Sequence, residues 1–263
     1  MEKLFDTHAH YDDSKFLSME ISREEFLKTR FETDTALVLS AAVTLDSARE
    51  NISLAEHFDG YYVAVGIHPC DLSKYKHDDP DRVVDELSRL LDHKKVVAIG
   101  EIGLDFYWEE NEPADIQLMW LEKQLCLAEK KVYPVVIHSR DAMGATFDVI
   151  SRHPNVRGVM HSFSGSVEMA REYIKRGFYI SVSGVVTFKN AAKLPEVVRM
   201  LPEDRILLET DAPYLAPVPF RGKLNHSGLA RYTAEKIAEI RNVSTDEIIA
   251  LTRENGKRLF GIK

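Results

Sequence analysis

Short apolar runs rich in β-branched residues alternate along the chain with longer segments of helical periodicity that carry a charged face. The short runs predict eight strands, at residues 3–8, 35–41, 61–67, 96–101, 132–138, 156–161, 178–183 and 206–210. The longer segments predict helices at residues 22–31, 45–57, 79–91, 114–130, 142–151, 167–176 and 191–201. Two more helices are predicted between residues 229 and 259, separated near Asn242.

This alternation defines the predicted fold class, which is α/β. Eight strand–helix repeats in about 250 residues are what a (β/α)8 TIM barrel requires, whereas a doubly wound sheet would need fewer strands or an added domain. No linker, charge block or change of composition marks a boundary, so residues 1–263 are predicted to form a single domain. The longest irregular stretch, residues 212–227, follows the last strand and is predicted to be a functional loop.

Composition narrows the class of protein. Hydrophobic residues make up 44% and charged residues 29% of the chain, the balance of a globular protein with an ample core. The net charge of -8 argues against a broad basic surface for duplex DNA, so any nucleic-acid contact must be local or metal-mediated. Two cysteines without a C-x-x-C pair indicate neither a disulfide framework nor a thiolate zinc site. With no signal-peptide pattern and no apolar stretch of about 20 residues, we expect a cytoplasmic protein without membrane contact.

The strand ends carry the candidate chemistry, because barrel enzymes place catalytic groups at the carboxyl ends of their strands. Six predicted strands end in a side chain of the metal-ligand type: His8 with His10, His68, Glu101, His138, His161, and Glu209 with Asp211. Imidazoles mixed with carboxylates suit Zn²⁺, Mn²⁺ or Fe²⁺ and, less comfortably, Mg²⁺. A carboxylate such as Glu101 can bridge two ions, so the sequence predicts a two-metal hydrolase.

Several long motifs resemble the TatD family of metal-dependent deoxyribonucleases, within the amidohydrolase-like barrels. The motifs are Asp6-Thr7-His8-Ala9-His10, Gly66-Ile67-His68-Pro69, Gly100-Glu101-Ile102-Gly103-Leu104-Asp105-Phe106-Tyr107, Pro134-Val135-Val136-Ile137-His138-Ser139-Arg140-Asp141-Ala142, His161-Ser162-Phe163-Ser164-Gly165 and Glu209-Thr210-Asp211-Ala212-Pro213-Tyr214-Leu215. The resemblance runs nearly end to end and implies a TIM barrel of the metal-dependent hydrolase type.

The resemblance also implies a ligand set for two divalent ions (Zn²⁺, Mn²⁺ or Mg²⁺). His8, His10, Glu101 and Asp211 would hold one ion, and Glu101, His138 and His161 the second. One position departs from the family pattern, because His226 follows Asn225 where the family usually has an acidic residue. This departure leaves the ligands intact and puts their surroundings and the substrate preference in question.

Catalytic roles follow for three of these side chains. Asp211 is expected to act as ligand and general base, although an Asp before Ala-Pro is also typical of a helix N-cap, and Glu101 as the shared catalytic carboxylate. Glu209 is expected to face away from the site. We expect His68 to approach the leaving oxygen or a phosphate without binding metal; alone, it would be read as a loop histidine.

Substrate contacts are predicted at four positions. Arg140, Arg221 and Lys223 are candidate phosphate binders, Arg221 foremost, against the simpler interpretation that each is a solvated surface charge. Asp105 can orient a ligand or contact substrate, or stabilise a turn.

Three functions remain open at this point. The resemblance suggests hydrolysis of DNA phosphodiester bonds by a metal-activated water, from an end of a single or frayed strand. Aromatic residues that can stack on the bases are Phe106, Tyr107, Trp108, Phe188 and Tyr214, although core packing is the simpler role for at least half of them. The same site can serve an ester or amide hydrolase, such as an aminoacyl-tRNA deacylase. A non-catalytic metal-stabilised binding protein is the third possibility. We expect a monomer, without excluding an oligomer.

Overall fold

Eight parallel strands follow the chain order around one sheet, in a computed structural model that describes residues 2–263. The strands are β1 Leu4–Ala9, β2 Thr35–Ala41, β3 Tyr61–Val65, β4 Val96–Asp105, β5 Val135–Arg140, β6 Gly158–Met160, β7 Tyr179–Val182 and β8 Ile206–Leu208. All eight predicted strands are present. The main difference is β4, which continues four residues beyond its predicted end at Glu101.

The first and last strands close the barrel through hydrogen bonds at its carboxyl end. The Thr7 hydroxyl donates to the Leu208 carbonyl (2.9 Å), and the Asp211 N–H donates to the His8 carbonyl (2.9 Å). Ala9 and Ala212 form a parallel bridge just beyond β8. The prediction of a (β/α)8 barrel is therefore confirmed.

Helices alternate with the strands. They are α1 Ser14–Leu17, α2 Arg23–Thr33, α3 Leu45–Ala55, α4 Pro80–Leu90, α5 Ala114–Lys131, α6 Met143–Ser151, α7 Val167–Lys175, α8 Leu194–Met200, α9 Ala230–Arg241 and α10 Thr245–Phe260. Capping residues determine where several helices begin or end. The Ser22 and Ser244 hydroxyls cap the N-termini of α2 and α10, and Asn242 ends α9 in the left-handed conformation. Among the described residues, no helix has both the length and the apolar character needed to cross a membrane.

Two apolar layers hold the barrel together. One layer packs the outer strand faces against the helices. The other contains a residue from every strand, for example Phe5, Leu39, Val136 and Leu207, with Phe260 from α10, and so fills the barrel interior. Alternating residues of each strand are buried on both faces, which explains the near-continuous apolar runs in the sequence.

Short 3₁₀ segments and irregular loops leave the carboxyl ends of the strands. Pro69–Tyr75 follows β3, Gly184–Thr187 follows β7, and no helix begins between β8 and the 3₁₀ turn Ser227–Leu229. The long loop predicted after the last strand is therefore present, and it lies on the rim where the strand ends meet.

Candidate active site

A cleft of about 840 Å³ opens at the carboxyl ends of the strands. The predicted ligands approach it from β1 (His8), the residue after β1 (His10), β4 (Glu101), β5 (His138), the residue after β6 (His161) and the loop after β8 (Asp211). The predicted catalytic histidine, His68, approaches from the loop after β3. The barrel thus brings all the predicted metal-binding side chains to one rim.

Glu101 lies at the centre of this cluster and is only 2% exposed. Its Oε2 atom lies 3.2 Å from His8 Nε2 and 3.4 Å from His10 Nε2. Its Oε1 atom lies 2.9 Å from His138 Nδ1 and 3.1 Å from His161 Nε2. Because the two oxygens face different imidazoles, this carboxylate has the geometry of a bridge between two ligand groups.

Asp211 completes the first group. Its Oδ1 atom lies 3.4 Å from His10 Nε2 and 3.7 Å from His8 Nε2. Its φ of 60° is in the left-handed region, which costs a non-glycine residue about 1–3 kcal/mol and which the bond from its N–H to the His8 carbonyl maintains. No helix begins after it, so the N-cap interpretation is wrong.

The outer ring nitrogens of three histidines show why these residues suit a metal ion. His10 Nδ1 is hydrogen-bonded to the Ala41 carbonyl (2.8 Å), and His138 Nε2 to Asp105 Oδ2 (3.1 Å). His161 Nδ1 lies 3.2 Å from Glu209 Oε1, an ion-pair distance without hydrogen-bond geometry. An imidazole that donates its N–H outwards presents a lone pair on its inner nitrogen, as metal-ligating histidines do. The donor set therefore fits divalent cations.

Buried charge in the cluster favours ionised carboxylates. Burial alone would raise the pKa of Glu101, but the neighbouring His161 and His68 hold it well below its usual range. Burial also opposes ionisation of Asp211, but the contact with His10 lowers its pKa. Burial would lower the pKa of His10, yet Asp211 and Glu101 raise it to about 9. Ionised carboxylates are the form that binds a cation.

His68 differs from the other histidines in its hydrogen bonding. Its Nδ1 atom accepts a hydrogen bond from the Cys70 N–H (3.2 Å), so the neutral ring carries its proton on Nε2. That Nε2 atom lies 3.4 Å from Glu101 Oε1. A protonated Nε2 is a hydrogen-bond donor and not a metal ligand, in keeping with the role expected from the sequence.

Asp105 is almost fully buried at the end of β4. Its carboxylate contacts His138 and accepts hydrogen bonds from the Tyr107 N–H (3.0 Å) and the Trp108 N–H (3.4 Å). These contacts correspond to the orienting and turn-stabilising roles considered for this residue. They leave it engaged with the protein, which disfavours the predicted contact with substrate.

The three predicted phosphate binders lie in different places relative to the cleft. Arg140 lines the cleft, and its guanidinium carbon lies 3.8 Å from the centre of the Tyr107 ring. Arg221 stacks on Phe188 at 4.1 Å, and both Arg221 and Lys223 are exposed in the loop after β8, outside the cleft lining. Arg140, and not Arg221, is therefore the best placed of the three.

Glu209 is a site residue that the sequence interpretation missed. We expected it to face away from the site, but it is fully buried behind His161, and its Oε1 also accepts a hydrogen bond from the Ser162 N–H (2.7 Å). The signal was available: Glu209 and Asp211 are two residues apart, the spacing that places side chains on one side of an extended chain.

His226 lies away from the cleft lining. Its ring packs edge-on against Phe26 at 5.5 Å, and its Nδ1 atom is buried without a hydrogen-bond partner. Burial, with the nearby Arg30, lowers the pKa of His226 to about 4. The departure from the expected acidic residue therefore leaves the ligand cluster intact.

Fold and site together define a class. A (β/α)8 barrel that collects histidines and carboxylates at the carboxyl ends of its strands, with donor atoms suited to divalent cations, is a metal-dependent hydrolase. The family model described as TatD related DNase matches residues 5–261, and the chain belongs to the TatD family.

Known proteins agree with this assignment. The chain is 39% identical to YabD of Bacillus subtilis, named an uncharacterized metal-dependent hydrolase, over 98% of this chain and 99% of that protein. It is 34% identical to YcfH of Escherichia coli K12, which has the same description, over 98% and 96% of the two chains. The crystal structure of YjjV, a TatD homolog from Escherichia coli K12, superposes with a TM-score of 0.89 at 31% identity, covering 99% of this chain and 98% of that one.

Proposed function

We propose that this hydrolase is a deoxyribonuclease that shortens single-stranded or frayed DNA from an end. The observation that carries the proposal is the pairing of the His–carboxylate cluster on the cleft floor with Arg140 on its wall. The cleft volume is that of a site for a small organic molecule, so it suits the end of one strand and not a duplex. The family model, described as TatD related DNase, supports the same substrate.

Two groups of side chains that share Glu101 are proposed to hold two divalent cations. His8, His10 and Asp211 would complete the first group around Glu101 Oε2, and His138 and His161, which both contact Glu101 Oε1, the second. Zn²⁺, Mn²⁺ and Mg²⁺ are the candidates for this mixture of imidazole and carboxylate. Such ions supply an activated water and stabilise the charge that develops on phosphate oxygens.

Three side chains of the protein would transfer protons and bind phosphate. Asp211, ionised and beside His8 and His10, would accept the proton of the attacking water. His68, with its proton on Nε2, would donate to the leaving oxygen or to a phosphate oxygen. The guanidinium of Arg140 would hold phosphate oxygens in a bidentate contact.

Exposed aromatic rings on the cleft wall suit the bases of a single strand. Trp108 and Tyr214 line the cleft and are 44% and 42% exposed. Stacking on such rings tolerates any base, because every base offers a flat face. Phosphate contact at Arg140 and stacking at these rings together favour a nucleic-acid strand over a small ester.

The test compares substrates on purified protein loaded with each candidate metal. End-labelled single-stranded DNA, blunt duplex, aminoacyl-tRNA and simple esters are incubated in parallel, and we expect stepwise shortening of the single strand. Asp211→Asn should abolish that activity in folded protein. Intact DNA alongside a cleaved ester would replace the nuclease assignment with the ester-hydrolase alternative. The monomeric state and the cytoplasmic location remain predictions.

A further inference from the structure

A second cluster of ligand-type side chains lies on the outer surface of the barrel. Glu122, Cys126 and Glu129 occupy positions i, i+4 and i+7 of α5, so they share one face of that helix. His153, two residues beyond the end of α6, packs against that face. None of these four residues lines the catalytic cleft.

The donor atoms of this cluster already converge. One ligand atom from each of Glu122, Cys126 and His153 lies within 4.8 Å of the others. His153 is 5% exposed, and its Nε2 atom lies 3.0 Å from Glu122 Oε1. Its other nitrogen, Nδ1, lies 3.0 Å from Glu129 Oε2. The ring is therefore held by a carboxylate on each side.

This arrangement matches the way proteins position a metal-binding histidine. A ligating imidazole commonly donates its second N–H to a carboxylate, which fixes the ring and makes the ligating nitrogen more basic. Glu129 stands in that position relative to His153. Glu122 and Cys126 stand where the remaining protein ligands would be, and the exposed side of Cys126 leaves a position open to solvent.

We propose that Glu122, Cys126 and His153 form a peripheral binding site for a thiophilic divalent cation of the Zn²⁺ type, with Glu129 as the positioning carboxylate. A thiolate and an imidazole select Zn²⁺ or Co²⁺ over Mg²⁺ and Ca²⁺, which prefer oxygen ligands. Binding releases the thiol proton of Cys126 to solvent, so occupancy increases with pH.

One competing contact must give way when a cation binds. The Arg152 guanidinium pairs with Glu122 Oε2 at 2.7 Å, but the Arg152 side chain is 58% exposed. An exposed ion pair contributes only about 0–1 kcal/mol, so a cation can displace it. No local motif marks this site, because Cys126 has no C-x-x-C partner and His153 joins it only through the fold.

Cobalt provides the test, because Co²⁺ bound to a thiolate has a charge-transfer absorption band that oxygen and nitrogen ligands do not produce. The full-length protein is titrated with Co²⁺, and we expect this band to develop and then to bleach on addition of Zn²⁺. Cys126→Ser should abolish the band and leave hydrolysis unchanged. Glu129→Gln should weaken Co²⁺ affinity at this site by roughly 10- to 100-fold.

The second cysteine supplies the matched control. Cys70 lines the catalytic cleft, and Cys70→Ser should retain the band at full intensity. In that variant, Zn²⁺ should also slow alkylation of the remaining Cys126 thiol. The proposal is overturned if the wild-type protein shows no thiolate band at saturating Co²⁺, or if the band survives in Cys126→Ser.

Discussion

The substitution His68→Asn tests whether His68 acts as a hydrogen-bond donor or as a metal ligand. The Asn side-chain oxygen lies near the position of His Nδ1, so it can still accept from the Cys70 N–H, while the Nε2 donor that faces Glu101 is removed. We expect unchanged metal content and a kcat lowered by about 10²–10⁴, the usual contribution of a positioned proton donor.

The magnitude behind this expectation comes from the hydrogen bond to Cys70. For Nε2 of neutral His68 to bind metal, the proton must move to Nδ1, where it would face the Cys70 N–H. Leaving that part-buried donor without a partner costs about 1–3 kcal/mol, or about 5- to 150-fold against the ligating tautomer. His138 has the opposite arrangement, since its outer nitrogen faces the Asp105 carboxylate.

His138→Gln is therefore the control, because its amide reaches the position of Nε2 beside Asp105 and leaves no ligand at the position of Nδ1, which faces Glu101. Both variants are prepared with excess Zn²⁺ or Mn²⁺, dialysed, and analysed for bound metal by mass spectrometry and for kcat on single-stranded DNA. His138→Gln should lose metal, and His68→Asn should not. Equal metal loss in both variants would show that the tautomer argument is wrong, and an unchanged kcat in His68→Asn would remove its role as donor.

Three further predictions concern the ligands, the cleft wall and the departure at His226. Replacing His8 and His10 together by Ala should empty the first metal position and abolish hydrolysis, while circular dichroism and thermal melting still show a folded barrel; full activity would refute the ligand assignment. Arg140→Ala should raise KM for DNA by about 10- to 100-fold through loss of a charged hydrogen bond, whereas Arg221→Ala should change it little; steady-state kinetics at several salt concentrations would detect the reverse order. Because folding lowers the pKa of His226 from 6.5 to about 4, the unfolded chain binds its proton first as pH falls, so stability is lost below about pH 6.5. Urea unfolding at about pH 7 and about pH 5 should show roughly 2 kcal/mol of this loss in the wild type and not in His226→Gln.

The barrel was predictable because local patterns and the global fold agree. Strands buried on both faces read as apolar runs, and helix ends carry their own signals, such as the Ser244 hydroxyl that caps α10. The convergence of the ligands was predictable for the same reason, since parallel strands deliver their carboxyl ends to one rim. The order and spacing of the strands therefore predict that His8 and Asp211, far apart in the sequence, lie close together in the barrel.

The contacts that orient the ligand side chains were not predictable from these sequence patterns. The spacing of Glu209 and Asp211 indicates that their side chains share a side of the chain, but the contacts of Glu209 with His161 and the Ser162 N–H depend on the three-dimensional path of two distant segments. Arg140 and Arg221 have the same chemistry in sequence, and only the loop paths decide that Arg140 lines the cleft. Sequence identified the groups that can bind, whereas the fold determines which carboxylate orients which imidazole.

Closure of the barrel and assembly of the site use the same few residues. The backbone of His8 and Asp211 is joined across the seam between β1 and β8, and the Asp6 carboxylate accepts hydrogen bonds there from Thr210 and Ser227. These bonds involve backbone and non-ligand side chains, so the ligand positions are set by the fold before any cation binds. Removing the imidazoles of His8 and His10 leaves these bonds intact, because their backbone remains in place. Metal binding and folding should therefore be separable at this site, and for that reason a folded but inactive double variant is the expected outcome.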